Sequence, residues 1–129
     1  INVFAESYMG SLSPICACGV ASGLGASIGI VYALGGTEVQ MLGAMKNMLG
    51  GVSGMICDGA KEGCANKVAI GAGCALISAL TALQGQQLSA DNGILADNMT
   101  TLYEHLSTLI HNGMTNMNRT IVDIMLADC

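Results

Sequence analysis

Apolar residues in this chain recur at three- and four-residue intervals, and no segment alternates as a half-buried strand does. The pattern predicts an all-α fold, a compact bundle of about five helices. The first starts at Ser13-Pro14, where serine can accept from the first free amides and proline fits the first helical position without losing a needed donor. It runs to about Leu34, and Gly35-Gly36 supplies a left-handed stop. Thr37, with Gln40 three residues on, reads as a capping box for a second helix. That helix carries Val39, Leu42, Met45, Met48 and Leu49 on one face and ends at Gly50-Gly51. A glycine-rich loop follows. Asp58 is the expected N-cap of a third helix, through Val68, Ile70, Leu76, Ile77 and Leu80 to Gln84-Gly85. A polar loop at Asp91-Asn92-Gly93 leads to a fourth, with Met99, Leu102, Leu106, Leu109 and Ile110 at helical spacing, broken at Gly113. Asn118 caps a last helix in which Ile121, Ile124 and Met125 share a face.

At 129 residues the sequence predicts one helical domain over 1–129, long enough to bury about two thirds of its unfolded surface. It begins at Ile1 without a secretory leader pattern, and is expected to be a piece of a longer protein. Only 10% of residues are charged, and mean hydropathy is +0.58. Ile15 to Gly36 and Val68 to Gly85 are uncharged over roughly a bilayer's span, and the first carries Gly19xxxGly23 and Gly25xxxGly29. A small-residue membrane helix bundle is therefore the rival reading. Against it, these runs are rich in Gly, Ala, Ser and Cys, and have no Trp at their ends. A net charge of −5 with no basic cluster and no aromatic platform argues against nucleic acid.

Chemistry concentrates in the cysteines. Cys16-Ala-Cys18 comes early, Cys57 and Cys64 follow, and Cys74 and Cys129 stand apart. Six cysteines without a secretory signal favour reduced thiols, and a cytoplasmic location, over a disulfide framework. Both cysteine groups fall near predicted helix N-termini, where free amides and the helix dipole favour the thiolate that binds metal. Glycines at 54, 59 and 63 would let backbone approach a bulky inorganic centre. C-x-C and C-x6-C match a zinc knuckle poorly, and flexible spacing suits an iron–sulfur cluster better. From spacing alone a cluster, another metal, a Cys57–Cys64 disulfide and no metal all remain open, as does a zinc-stabilised binding module.

Blander readings apply to several residues. Cys74, amid Ala, Gly and Leu, fits as a small core residue, the nine methionines as core filler, and His105 and His111 as helix-surface side chains. Asp58 and Lys61 read as a helix cap and a solvated charge, or as catalytic groups, since charges beside a thiol cluster are enriched in function.

Cys16-Ala-Cys-Gly-Val-Ala-Ser-Gly-Leu-Gly-Ala26, the Leu-Gly-Gly break at 34 to 36, Gly54-Met-Ile-Cys-Asp-Gly-Ala-Lys-Glu-Gly-Cys-Ala-Asn-Lys67, and Gly113-Met114 followed by Ile121-Val-Asp-Ile-Met125 carry a resemblance. Together they resemble the C-terminal part of the L-cysteine desulfidase family, which is related to the α-domain of iron–sulfur L-serine dehydratases. The resemblance covers nearly the whole chain. It implies a helical domain holding a [4Fe-4S] cluster through Cys57, Cys64 and one of Cys16 and Cys18, the serine dehydratase pattern favouring Cys16. It further implies a small amino-acid substrate, cysteine or serine. An open iron would act as Lewis acid while β-elimination gives aminoacrylate, which hydrolyses to pyruvate and ammonia. An N-terminal remainder would complete the active site and hold the acid/base residue; a homo-oligomer is compatible with all of this. Related chains carry Asp four residues after Gly-Met; Asn118 here keeps a cap and loses a charge. Some related serine dehydratases place a terminal cysteine on the open iron, which leaves the role of Cys129 open.

Overall fold

The structure is a computed structural model that describes residues 7–9 and 13–127. Among the described residues the fold is all-α, as expected, with a single antiparallel bridge, Ile15 to Ile56, outside the helices. Beyond a helical turn at residues 7–9, five longer helices follow one another among the described residues: α1 (Ser22–Ala33), α2 (Glu38–Val52), α3 (Gly63–Leu83), α4 (Met99–Thr108) and α5 (Met117–Ala127). π-helical turns at Ala17–Ala21 and Leu109–Gly113 precede α1 and extend α4.

The predicted punctuation is realised between α1 and α2. Gly35 takes φ +75°, and the Gly36 amide donates to the Val31 carbonyl at 2.9 Å. Thr37 and Gln40 exchange bonds in a capping box, Gln40 N–H to Thr37 Oγ1 at 3.3 Å and Thr37 N–H to Gln40 Oε1 at 2.9 Å. Asn98 caps α4 by accepting from the Thr101 amide at 2.8 Å.

Three starts differ from expectation. The first helix begins after Cys16, because residues 14–16 are drawn out straight against 55–57: Cys16 N–H donates to the Met55 carbonyl at 2.8 Å and Cys57 N–H to Pro14 at 2.7 Å. α3 begins at Gly63 rather than after Asp58, whose carboxylate is engaged by Lys67 while Gly59 turns at φ +93°, a conformation only glycine takes cheaply. α5 begins at Met117, so Asn118 lies inside the helix instead of capping it.

The core gathers Val20, Ala21, Leu24 and Ile28 from the first segment, Met45, Met48 and Leu49 from α2, and Leu102, Leu106 and Ile110 from α4 and its extension. Val31, Ala44, Ala79 and Ala82 form a second, smaller cluster. Cys74 is half-buried against the main core, and His105 and His111 are exposed, as expected. Polar side chains lace α2 to the end of α3: Asn47 Nδ2 donates to the Gln86 carbonyl at 3.0 Å, and Gln40 Nε2 to Leu83 at 3.0 Å. Lys46 is the buried cation of the core, 5% exposed and 4.0 Å from the Asp97 carboxylate.

The π-helical turn before α1 meets α3 through glycine. A Cβ built on Gly71 would come 2.5 Å from the Gly19 carbonyl oxygen and 3.0 Å from its Cα, and one on Gly19 would lie 3.2 Å from the Lys67 carbonyl. Gly19, Gly23 and Gly71 thus serve close packing, while Gly29 and Gly73 have open space where a Cβ would stand. α3 is also long and apolar enough to cross a membrane by length and composition, and it exposes Ile70, Leu76, Ile77 and Leu80 on its outer side.

Replacing Gly71 by alanine forces these backbones apart and is expected to cost about 1–3 kcal/mol, the range for overpacking a filled contact. Gly73→Ala, where a Cβ meets nothing within 4 Å, should instead stabilise by about 0.5–1 kcal/mol through helix propensity. Urea unfolding of both variants measures the contrast, and a Gly71→Ala protein as stable as Gly73→Ala contradicts the packing account.

Candidate functional site

The thiols are positioned by three elements. Cys16 stands at the N-terminus of the first π-helical turn, 3% exposed, its Sγ accepting from the Gly19 amide at 3.3 Å. Cys57 is half-buried at the end of the facing extended segment, and the Ile15–Ile56 bridge sets that segment beside Cys16. Cys64 lies in the first turn of α3, half-buried, its thiol donating to the Gly59 carbonyl at 3.4 Å. Cys18 points to the exterior. Cys74 is ten residues further along α3, away from this end of the fold. Cys129 lies outside the described residues. Cys16, Cys18, Cys57, Cys64 and Cys74 are all free thiols, so the disulfide that the Cys57–Cys64 spacing allows is not formed.

Lys67, which the sequence reading passed over, sits at the centre of this neighbourhood. Its ammonium donates to the Ile56 carbonyl at 3.0 Å and forms a tight ion pair with Asp58. The signal for it was present: Lys67 follows Cys64 by three residues, on the same face of one helix. Lys61, by contrast, is exposed and touches Asp58 only through the field of its charge.

The hydrogen bond from Lys67, followed by one from its own backbone amide and by the charges of Lys67 and Lys61, holds the Asp58 carboxyl below the usual carboxylate range. Conversely, the bond to Asp58 raises Lys67 above the usual lysine range, with the Asp58, Cys16 and Cys64 charges adding to it. Asp58 is therefore an ionised, paired acceptor.

Between this loop and α5 opens a cleft of about 370 Å³. Cys57, Asp58 and Gly59 form one wall, Ile121, Val122 and Met125 the other, with Ile15, Ala17 and Asn118 at its ends. The half-buried Ile121 and Met125 of the predicted face line it, while Ile124 turns outward, 59% exposed. No residue of α5 is buried.

The donor set of Cys16, Cys57 and Cys64 is all thiol, the chemistry of iron–sulfur clusters. Among the described residues no three such side chains converge closely enough to hold a metal as they stand, so the thiols must turn toward one another to ligate one. Glycine does not crowd that movement: a Cβ on Gly54 or Gly63 would meet nothing within 4 Å.

Residues 1–123 match the family described as serine dehydratase alpha chain. The chain belongs to that family. It is 45% identical over 126 residues to a UPF0597 protein of Caldanaerobacter subterraneus subsp. tengcongensis, covering 98% of this chain and 30% of that protein. A UPF0597 protein of Clostridium tetani is 41% identical over 129 residues, 100% of this chain and 30% of the relative. One from Alkaliphilus oremlandii is 44% identical over 126 residues, 98% and 29% of the two chains. The chain thus spans about 30% of the length of these curated relatives. No solved structure matches it. The serine dehydratase side of the resemblance is borne out by the family match, and it places this helical unit within an enzyme family of amino-acid metabolism.

Pairing ties the Asp58–Lys67 contact to pH. Asp58, lowered from an ordinary 3.8, contributes stability above that value and loses it as pH falls through the lower folded value. Lys67, raised from 10.5, contributes below that value and loses it as pH rises through the higher folded one. The pair is accordingly intact across the whole neutral range. An NMR titration of the Asp58 carboxyl should give a midpoint below 3.8, returning to the ordinary range in Lys67→Met; an unchanged midpoint in the variant would refute Lys67 as the cause.

Proposed function

We propose that this chain is the cluster-binding helical part of an iron–sulfur lyase of the cysteine desulfidase or serine dehydratase type, acting by β-elimination on L-cysteine or L-serine. The observation that carries the reading is the gathering of Cys16, Cys57 and Cys64 at one end of the fold, in a chain of the serine dehydratase alpha chain family. Cys16, Cys57 and Cys64 would hold a [4Fe-4S] cluster, Cys16 rather than Cys18 because its sulfur faces inward beside the Cys57 strand. When bound, such a cluster supplies a Lewis-acidic iron for the leaving thiol or hydroxyl.

The chain's own residues supply the surroundings. Asp58, ionised beside Cys57 at the cleft wall, would accept a hydrogen bond from the amino group of the substrate. Lys61 adds positive charge on the same loop and would draw in a carboxylate substrate. Ile121, Val122 and Met125 would give the substrate an apolar far wall. In this reading the acid/base residue and the rest of the pocket come from the N-terminal remainder, the protein is cytoplasmic, and a homo-oligomer is compatible with it.

A membrane reading draws on the length and apolar outer face of α3. The opposite face of the same helix, Gly71, Ala75, Ser78, Ala79 and Ala82, is buried, as in a core helix. Recovery of full-length protein without detergent decides between them.

Anaerobic reconstitution of the full-length protein should yield a brown, iron-containing species with a broad visible absorbance. Cys57→Ser and Cys64→Ser should each abolish iron uptake, whereas Cys74→Ser should retain it. A colourless, iron-free product sinks the reading, and stoichiometric zinc in its place supports a zinc-stabilised binding module. Loss of iron in all three variants removes the ligand assignment.

A further inference from the structure

We infer that Lys67 is the positioning residue of the thiol site, tying the segment around Cys57 to the first turns of α3 and so fixing Cys57 relative to Cys64. The inference rests on the reading of these thiols as ligands.

Lysine normally carries its ammonium out to water along a flexible stem. Lys67 does the reverse. Its side chain is 19% exposed, folded back onto the loop, and its two acceptors belong to residues 56 and 58. These are the two chain neighbours of Cys57. The Cys57 amide is at the same time held by the Pro14 carbonyl at 2.7 Å. Cys57 is thus gripped through its own backbone on the Cys16 side and through both neighbours on the α3 side. Cys64 lies one helical turn before Lys67, so the grip refers Cys57 to the element that carries Cys64. The thiols of Cys16 and Cys64 both lie close enough to act on the Lys67 charge.

A lysine head suits the task because three donors on one point can serve two acceptors of different direction. Its charge also opposes the negative charge that three thiolates would bring to this end of the fold. Lys61 shares the charge and lacks the reach, being exposed on the loop itself.

The test uses full-length protein with Lys67→Met, Lys67→Arg and Asp58→Asn. In metal-free protein, amide exchange over residues 56–61 should be several-fold faster in Lys67→Met, with residues 78–83 unchanged. After anaerobic reconstitution, iron should be lost to a chelator roughly tenfold or more faster in Lys67→Met and Asp58→Asn, the usual effect of removing a partner behind metal ligands. Lys67→Arg should return retention toward wild type. Should Lys67→Met lose its helical circular dichroism, Asp58→Asn, altered on an exposed loop, carries the test. Wild-type retention in Asp58→Asn and Lys67→Met overturns the inference, whether or not exchange is faster. A wild-type protein that takes up no iron but shows the exchange dependence rejects the cluster reading and leaves the clamp standing.

Discussion

Two backbones without side chains between them, Gly19 and Gly71, set the geometry on which the thiol site depends. Gly71 lies four residues after Lys67 and seven after Cys64, a spacing that puts all three on one stripe of α3. Pressing that stripe onto the turn after Cys16 brings the helix start against the extended pair at 14–16 and 55–57. The same stripe continues as Ala75, Ser78 and Ala82 into the core. Packing and chemistry are therefore successive stretches of one helix face.

The bundle was legible from sequence wherever a local rule acts alone. Gly35-Gly36, the Thr37–Gln40 box and the apolar face of α4 need no distant partner and are found as read, as is the α2 face apart from Val39, which is 66% exposed. Two of the three misplaced starts share a different cause. Asp58 is a good cap by residue type, but a lysine nine positions away binds its carboxylate. Ser13-Pro14 opens a helix locally, yet residues 14–16 pair with a segment about forty residues on. Long-range bonds override local preference at these points, and both points lie at the thiols.

For the site, the cysteines were readable because residue type carries their chemistry. Cys57 and Cys64 were singled out by spacing, and the fold sets them at one end with Cys16. Which lysine matters was readable only in part: spacing puts Lys67 on the Cys64 face, but its reach back to residues 56 and 58 is set by the fold. The far wall of the cleft, from α5, was also hidden: Ile121 and Met125 had the signature of an ordinary amphipathic face, and nothing local says that the face overlooks Cys57.

The π-helical turn at Ala17–Ala21 holds one residue more than an α-turn would at the same advance along the axis. It decouples the length of the Cys-Ala-Cys segment from the direction in which Gly19 and Gly23 face. A homologue one residue shorter here can close the turn into a regular helix and keep the glycine contact unchanged. Its cysteine then shifts one column in an alignment while occupying the same place in space. Cysteines of two such chains would therefore be matched by helical phase rather than by counting residues from Gly19.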